Sequence, residues 1–402
     1  MILLGILLRL ALMPISAHSD LFAHLLGAYL FSDGVSNIYD FLYSLPKAHP
    51  IFTAYSIDFY GYPPLAYWLL GLFQLPFDFL RDQSYFGWLL GWAGGYLNNP
   101  FTSLFLFLAK VPYLFFDLAT AFLLFKFFES SQKGRFALVY WLFCPLALYT
   151  SFLFGHFDIL AIFFVVLALY LVKQKQPSWA SLALGIGGAI KLFPLIFLLP
   201  LVLVSFKKTG QRLLGLLLGL LPLLLTSLPF WNSPHFWRII FLQNQSQRFL
   251  GANFPLAEGS IFLFLVVYFL VNLYLLNKGE QESLWQYLLI ILLAFFSFSY
   301  FHPQWLLWLA PFLVIDLTQN PKHFSLHLVF YLYFLGLLFL FEPSINIGLF
   351  APAAHSLNFK ETIRPILLNF GVLEQIKGIF RSFLVAWSIW FSYRTLREQT
   401  QV

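Results

Sequence analysis

Residues 136–173 read FALVYWLFCPLALYTSFLFGHFDILAIFFVVLALYLVK, two apolar runs separated by the short sequence Gly-His-Phe-Asp at 155–158. A helix needs roughly 20 apolar residues to cross the hydrocarbon core of a bilayer, and each run comes close to that length. The stretch therefore predicts two membrane helices, over 136–153 and 158–173, that are joined by a tight polar turn.

The rest of the 402-residue chain has the same character. Hydrophobic residues make up 60% of it and charged residues 10%, and the mean hydropathy is +0.80. Soluble domains carry about 25% charged residues, and a soluble globule could not cover so much apolar surface. The composition therefore excludes a large extramembrane domain, a disordered chain and a nucleic-acid binder. The net charge of +6 fits the excess of Lys and Arg that cytoplasmic loops of membrane proteins carry.

We predict an all-α fold, a single polytopic integral-membrane domain over residues 1–402 with about 12–14 membrane segments. Arg9 interrupts the first segment and no basic region precedes it, so we expect a retained helix rather than a cleaved signal peptide. Residues 178–206 contain Lys191 and Pro194, and a hairpin of two short helices there keeps the flanking lysines on one side. The predicted segments are 2–17, 65–80, 84–97, 101–128, 136–153, 158–173, 178–190, 192–206, 213–230, 258–276, 284–300, 303–318, 324–342 and 374–395.

The distribution of basic residues predicts that both termini face the cytoplasm, because cytoplasmic loops are enriched in Lys and Arg. The loops predicted to be inside contain Arg81, Lys126, Lys133, Arg135, Lys173, Lys175, Lys207, Lys208, Arg212, Lys278, Lys322, Arg394 and Arg397. The loops predicted to be outside contain Lys47, Lys191, Arg238, Arg248, Lys360 and Arg364.

The predicted outer side also carries the long polar segments, 18–64, 231–257 and 343–373. Seven histidines fall on this side: His18, His24, His49, His156, His235, His302 and His355. Because binding and catalytic residues concentrate on loops that a rigid scaffold positions, we expect the functional site there. The alternative is that long loops simply collect polar residues.

The first outer loop opens on His18-Ser19-Asp20, which places Asp20 at the membrane exit of the first helix. The apolar residues that follow recur at helical spacing up to Gly34, which predicts an amphipathic helix lying in the membrane interface, with His24 on its other face. The later polar candidates of this loop are Asp40, Asp58 and Tyr62, the last in the sequence Tyr-Pro-Pro.

Three shorter polar turns complete the predicted outer face. His156 and Asp158 could hold a sugar hydroxyl or a metal, or Asp158 could simply cap the next helix. Lys191 stands at a helix break, where it could bind a phosphate or extend to the membrane interface. His302 and Gln304 are candidates for sugar contacts.

Two further features concern aromatic and buried charged side chains. We expect Trp305 and Trp308 to be interfacial belt residues. Within 101–128, Lys110 and Asp117 lie on one helix face; either they pair with each other, or Asp117 pairs with Arg9.

No Walker A loop, G-x-S-x-G or H-E-x-x-H motif occurs in the sequence. A set of motifs, taken in their order along the chain, resembles the GT-C superfamily of polytopic membrane glycosyltransferases. The motifs are Asp20 after the first helix, a later Tyr-Pro-Pro, Gly155 to Asp158, Ile190 to Pro194 and the aromatic-rich Pro303 to Trp308. The resemblance is to its bacterial polyprenol-phosphate-mannose-dependent and GPI-mannosyltransferase-like members, and covers most of 1–320. The chain departs from their pattern at His156, where many relatives have Gln, and at Gly61, where they have Asp.

The resemblance implies an inverting transfer of a hexose, of mannose type, from a polyprenyl-phosphate donor to a lipid-linked or other extracytoplasmic acceptor. It implies that Asp20 is the general base and that the active face lies outside a bacterial plasma membrane. Lys191, Arg238 and Arg248 are the nearby cations for the leaving phosphate, and a divalent cation held by Asp20, His156 and Asp158 is an open alternative. The competing functions are a secondary transporter or lipid flippase, which would need ionisable residues along a membrane pathway, an O-acyltransferase and a structural membrane partner.

Overall fold

The computed structural model describes residues 1–56, 58–80, 82–92, 95–242, 247–256, 258–278 and 281–399. Arg81 and parts of the predicted loop 231–257 lie outside the described residues. The α-helices are α1 Ile2–Leu12, α2 Ser19–Ser32, α3 Ile38–Ser44, α4 Pro50–Ala54, α5 Pro64–Gln74, α6 Gln83–Leu90, α7 Thr102–Ala109, α8 Val111–Phe127, α9 Ser131–Leu142, α10 Pro145–Ala147, α11 Asp158–Lys173, α12 Pro177–Ile190, α13 Leu198–Ser205, α14 Thr209–Ser227, α15 Pro234–Trp237, α16 Leu263–Lys278, α17 Leu284–Phe298, α18 Ala310–Gln319, α19 Phe324–Leu338, α20 Arg364–Asn369 and α21 Leu373–Gln399.

The predicted all-α polytopic fold is confirmed, since each predicted segment contains a helix. Three continuous helical runs in the described residues are long and apolar enough to cross a membrane, Thr102–Phe127, Ser131–Phe154 and Thr209–Phe230. Shorter apolar helices accompany them. Among the described residues, the fold departs from pure α in one antiparallel hairpin, whose strands are β1 Asn253–Leu256 and β2 Gly259–Phe262.

The predicted break near Lys191 is also confirmed. Helix α12 ends at Ile190, Lys191 takes an extended backbone with φ −151° and ψ 134°, and a new helical run begins at Phe193. A Cβ atom on Gly188 would lie 2.6 Å from Leu195, so this glycine lets the two runs pack closely. The break turns the Lys191 side chain toward Asp158.

Helix α2 forms where it was predicted, and Gly34 follows it in a left-handed conformation with φ 92°. The prediction that one face of α2 meets the membrane interface is wrong. Phe22, His24 and Leu26 are buried together with the apolar face. The cause is close packing against α5, where a Cβ atom on Gly71 would lie 2.6 Å from the Phe31 ring.

Arg9, Lys110 and Asp117 are fully buried, and their contacts are with other parts of the protein. Arg9 Nε donates to Asp117 Oδ2 over 2.5 Å, which confirms the second of the two predicted pairings. Lys110 instead donates to the carbonyls of Met13, Ser16 and Phe152. These bonds tie the chain before Asp20 to the chain before His156, so one lysine joins the two segments that carry the predicted site.

A buried cluster of two histidines and a carboxylate lies at the turn between α18 and α19. His323 is fully buried, with its Nδ1 atom 3.0 Å from Asp316 Oδ2, and His327 Nε2 lies 2.8 Å from the same oxygen. The two histidines fasten the start of α19 to α18 at this end of the bundle.

Candidate active site

Asp20 lies in the first turn of α2, where the unsatisfied backbone N–H groups favour a negative charge. The backbone N–H of Asp20 donates to Nδ1 of His18 over 3.1 Å, so His18 caps the helix. The His18 ring stacks on Phe154 with centroids 3.9 Å apart. The Asp20 side chain remains 37% exposed and faces a pocket, so its carboxylate is accessible to a substrate.

The pKa of the Asp20 carboxyl lies below its usual range. Burial works against ionisation but is outweighed by the imidazole rings of His18, His156 and His24. Asp20 is therefore a carboxylate at neutral pH, which is the form that accepts a proton.

The turn after the π-helical segment Leu148–Phe154 carries the next two polar residues of the site, His156 and Asp158. Gly155 has φ 84°, a conformation that favours glycine, and it reverses the chain so that His156 and Asp158 point inward. His156 Nδ1 lies 2.8 Å from Asp158 Oδ1 but is out of line for a hydrogen bond. Its Nε2 atom is 3.3 Å from the Tyr62 hydroxyl.

Asp158 is not the N-cap of α11, since Phe157 occupies that position and Asp158 is the first helical residue. The Asp158 carboxylate is fully buried and accepts two bonds from distant parts of the chain. Lys191 Nζ donates to Oδ1 over 2.5 Å, and Trp308 Nε1 donates to Oδ2 over 2.8 Å. Capping therefore does not explain this residue; it joins α11, the α12 break and the 303–309 segment.

Lys191 is 7% exposed, and four aromatic rings surround its ammonium group. The ring centroids lie 5.4 to 5.9 Å from Nζ, within the range of cation–π attraction. The rings belong to Tyr62, Phe157, Trp305 and Trp308. Lys191 therefore does not extend to the interface as the alternative interpretation had it.

A polar pocket of about 200 Å³ joins residues from five separate parts of the chain. Six of the predicted site residues line it: His18, Asp20, Asp58, Tyr62, His302 and Gln304. Oε1 of Gln304 is buried without a hydrogen-bond partner among the described residues, so it is available to a ligand. The pKa of His302 lies below its usual value because of burial and then because of the Arg248 charge, which keeps its ring neutral at pH 7.

An apolar groove of about 530 Å³ adjoins this pocket. Gly61, Tyr62 and Trp305 line both spaces. Lys191 lines the groove at its polar end, and the remaining walls are aliphatic and aromatic side chains, among them Phe193, Phe249 and Phe264. A carboxylate pocket and an apolar channel thus share one boundary, where cationic side chains gather.

Five predicted site residues line neither space: His156 and Asp158, described above, and Asp40, Arg238 and Arg248. Asp40 accepts bonds from Ser233 Oγ over 2.6 Å and from Asn37, which fastens α3 to the 231–242 segment. Arg238 donates to Asp58 over 2.9 Å at the protein surface. Arg248 stacks over Trp305 and Tyr300, at the edge of the boundary between pocket and groove.

The structure adds residues that sequence reasoning did not select. His24 lines the polar pocket with a centroid 4.7 Å from that of His156, and its Nδ1 has no partner among the described residues. Trp305 and Trp308 were predicted to be interfacial belt residues, which is wrong because they are only 8% and 3% exposed, and Trp308 donates to Asp158. Glu342 also lines the pocket, and no local sequence signal distinguishes it.

No group of three His, Cys, Asp or Glu side chains among the described residues lies close enough to hold a metal ion. Asp158 is instead engaged by Lys191 and Trp308. The residues named as metal candidates therefore do not form a ligand set in this arrangement.

Comparison with known proteins identifies the family of the chain. The fold defines a helical membrane protein in which a polar pocket adjoins an apolar groove. The family model of glycosyltransferase family 87 matches residues 60–339, more than half of the chain, so the chain belongs to that family. The match includes Tyr62, the 155–158 turn, Lys191 and His302, whereas Asp20 precedes it.

The chain is also similar to GPI mannosyltransferase 1 of Saccharomyces cerevisiae. The two are 22% identical over 243 residues, which is 60% of this chain and 49% of that protein. The chain thus spans about half the length of the curated relative that it matches. The family assignment supports a transferase over the transporter, flippase and structural alternatives.

Proposed function

We propose that the protein transfers a hexose, of mannose type, from a polyprenyl-phosphate donor to a lipid-linked or glycolipid acceptor, with inversion at the anomeric carbon. The observation that carries this proposal is the shared boundary between the Asp20 pocket and the apolar groove. A lipid-linked sugar needs both environments, an apolar channel for its chain and a polar pocket for its sugar.

The bond changes follow from this placement. Asp20 takes the proton of the acceptor hydroxyl, and the hydroxyl oxygen forms a bond to the anomeric carbon of the donor hexose. The bond between that carbon and the phosphate oxygen breaks, and the electron pair leaves with the polyprenyl phosphate. A cation at the boundary is needed to stabilise the charge that develops on the leaving phosphate, and the two candidates there are Lys191 and Arg248.

The polar side chains of the pocket suit the sugars. Gln304 offers a buried carbonyl oxygen to a hydroxyl, and neutral His302 can both donate and accept. Tyr62 lies where pocket and groove meet, and its ring provides an apolar face for a hexose. Both substrates carry lipid, so both reach the site from the bilayer.

We further propose that this site faces the extracytoplasmic side of a bacterial plasma membrane and that the chain crosses the membrane several times. The distribution of Lys and Arg supports this orientation. The donor would then reach the protein already translocated across the bilayer.

The experiment is a transfer assay with the purified protein in detergent or nanodiscs. Polyprenyl-phosphate-hexose with a radiolabelled sugar is mixed with a membrane-lipid extract as the source of acceptors, and the products are separated by chromatography. A labelled product that forms with the wild type and not with Asp20→Asn supports the proposal. Release of free hexose alone, or no product with any extract, would contradict it.

A further inference from the structure

Lys191 and Arg248 lie at the boundary between the polar pocket and the apolar groove, and Arg238 lies at the surface beside Asp58. The three cations differ in what already engages them. We infer that Arg248 binds the phosphate of the lipid donor, while Lys191 is a positioning residue whose charge Asp158 holds. This inference rests on the proposed function, because it assigns a role to a residue of the same site.

Arg248 is the cation with unused hydrogen-bonding capacity. Its Nη1 atom is buried and has no hydrogen-bond partner among the described residues. A buried donor without a partner is costly, so a ligand that satisfies it gains the corresponding free energy. The guanidinium carbon lies 4.8 Å from the Tyr300 ring centroid and 5.0 Å from that of Trp305. The two rings hold the guanidinium group in place without using its N–H donors.

The position of Arg248 suits a phosphate at the end of a lipid chain. Trp305 lines both the polar pocket and the apolar groove, and Phe249, the next residue after Arg248, lines the groove. A phosphate at this boundary would have its polyprenyl chain in the groove and its sugar toward Asp20. Guanidinium matches the geometry of phosphate oxygens and can bind two of them at once.

Lys191 is engaged elsewhere. Its ammonium group donates to Asp158 over 2.5 Å and is enclosed by Tyr62, Trp305 and Trp308. Asp158 is fully buried, so drawing Lys191 away to a ligand would leave a carboxylate without its counter-charge. Lys191 thus keeps the aromatic walls of the groove in position rather than binding phosphate.

Arg238 is likewise paired. It donates to Asp58 over 2.9 Å, and its side chain is 50% exposed, so water already satisfies its remaining donors. A phosphate that replaced that water would therefore gain little binding free energy.

Binding of undecaprenyl phosphate and of neutral undecaprenol to the full chain in detergent separates these roles without requiring catalysis. Tryptophan fluorescence reports binding, because Trp305 lies beside Arg248. The wild type should bind the phosphate more tightly than the alcohol by roughly 10- to 100-fold, the range for a hydrogen bond to a charged group. Arg248→Gln should abolish that preference, and Arg248→Lys should retain only part of it.

Two variants serve as comparisons. Lys191→Met should weaken the binding of the phosphate and of the alcohol together, so that the ratio of the two affinities is unchanged. Lys360→Gln, which removes an exposed positive charge, should change neither affinity. The inference would be overturned if Lys191→Met lost the preference for the phosphate over the alcohol and Arg248→Gln retained it. A wild type with no preference for the phosphate would instead contradict the proposed donor class.

Discussion

The ammonium nitrogen of Lys191 lies 2.5 Å from Oδ1 of Asp158, although 33 positions separate the two residues in the chain. Each stands at a helix boundary, since Lys191 follows the last residue of α12 and Asp158 begins α11. The pair therefore fixes the relative positions of two helix ends. Trp308, which donates to the other oxygen of Asp158, adds a third segment to the same junction.

We expect this ion pair to be strongly coupled. Asp158→Asn and Lys191→Met should each destabilise the protein by about 3–5 kcal/mol, because each leaves an uncompensated buried charge. The double variant should lose less free energy of unfolding than the sum of the two single losses. Reversible unfolding in mixed micelles measures the three values.

Lys173→Met provides the matched control for that experiment. Lys173 pairs with Glu129 over 3.6 Å, and both side chains are accessible to solvent. An exposed pair of this kind contributes about 0–1 kcal/mol. Strictly additive losses at Asp158 and Lys191 would show that the buried pair is not a unit.

Asp20→Asn should lower the rate of hexose transfer by about 10²-fold or more, because asparagine preserves the shape of the side chain and removes the base. Binding of the donor should change little. Initial rates at saturating donor give the comparison, and Asp33→Asn in the exposed C-cap of the same helix is the control. Full activity in Asp20→Asn would assign the base to another residue, with Asp58 next to test.

The stability of the protein should fall as the pH drops from 7 to 5. The pKa of His24 is lowered well below 6.5, by burial and then by the His156 charge, and burial lowers that of His302 as well. The unfolded chain therefore binds protons near pH 6.5 that the folded protein does not, at a cost of up to about 1.4 kcal/mol per pH unit for each group.

The depressed pKa of Asp20 also lowers the stability of the protein at acid pH. The ionised carboxylate stabilises the folded protein above about pH 3.8, and this stabilisation is lost as the pH falls through the folded-state pKa. Melting temperatures at a series of pH values test both effects. His24→Leu should flatten the dependence between pH 7 and 5, and an identical slope in that variant would contradict the role of His24.

The orientation in the membrane can be tested with single cysteines in a Cys144→Ser background. Ser36 and Ser356 are exposed and belong to predicted outer segments, whereas Ser131 is exposed at the start of α9 on the predicted inner side. An impermeant maleimide should label Ser36→Cys and Ser356→Cys in intact cells and label Ser131→Cys only after lysis. The reverse pattern would contradict the proposed orientation.

Sequence periodicity and composition were sufficient to predict the helices, because a run of apolar residues of membrane length has few other folds available. The helix break at Lys191 and the polar turn at 155–158 were also predictable, since glycine, proline and a charge interrupt an apolar run. The buried face of α2 was not, because its burial depends on the close approach of Gly71 in another helix.

The candidate site could be predicted in part for the same reason. Asp20, Tyr62 and His302 were selected because each follows or begins an apolar segment on one predicted side. Their convergence with Glu342 depends on tertiary packing that no local pattern encodes. Asp40 shows the converse, since it is a carboxylate of the same predicted outer loop as Asp20, yet its oxygens accept bonds from Ser233 and Asn37.

The choice of donor tests the central claim most directly. Purified protein should be given, in parallel, a polyprenyl-phosphate-hexose and the corresponding GDP- or UDP-hexose, each with the sugar labelled and with the same acceptor extract. The groove and the absence of a glycine-rich phosphate loop from the sequence predict transfer from the lipid donor and none from the nucleotide. Transfer from the nucleotide sugar in the absence of any lipid donor would contradict the account.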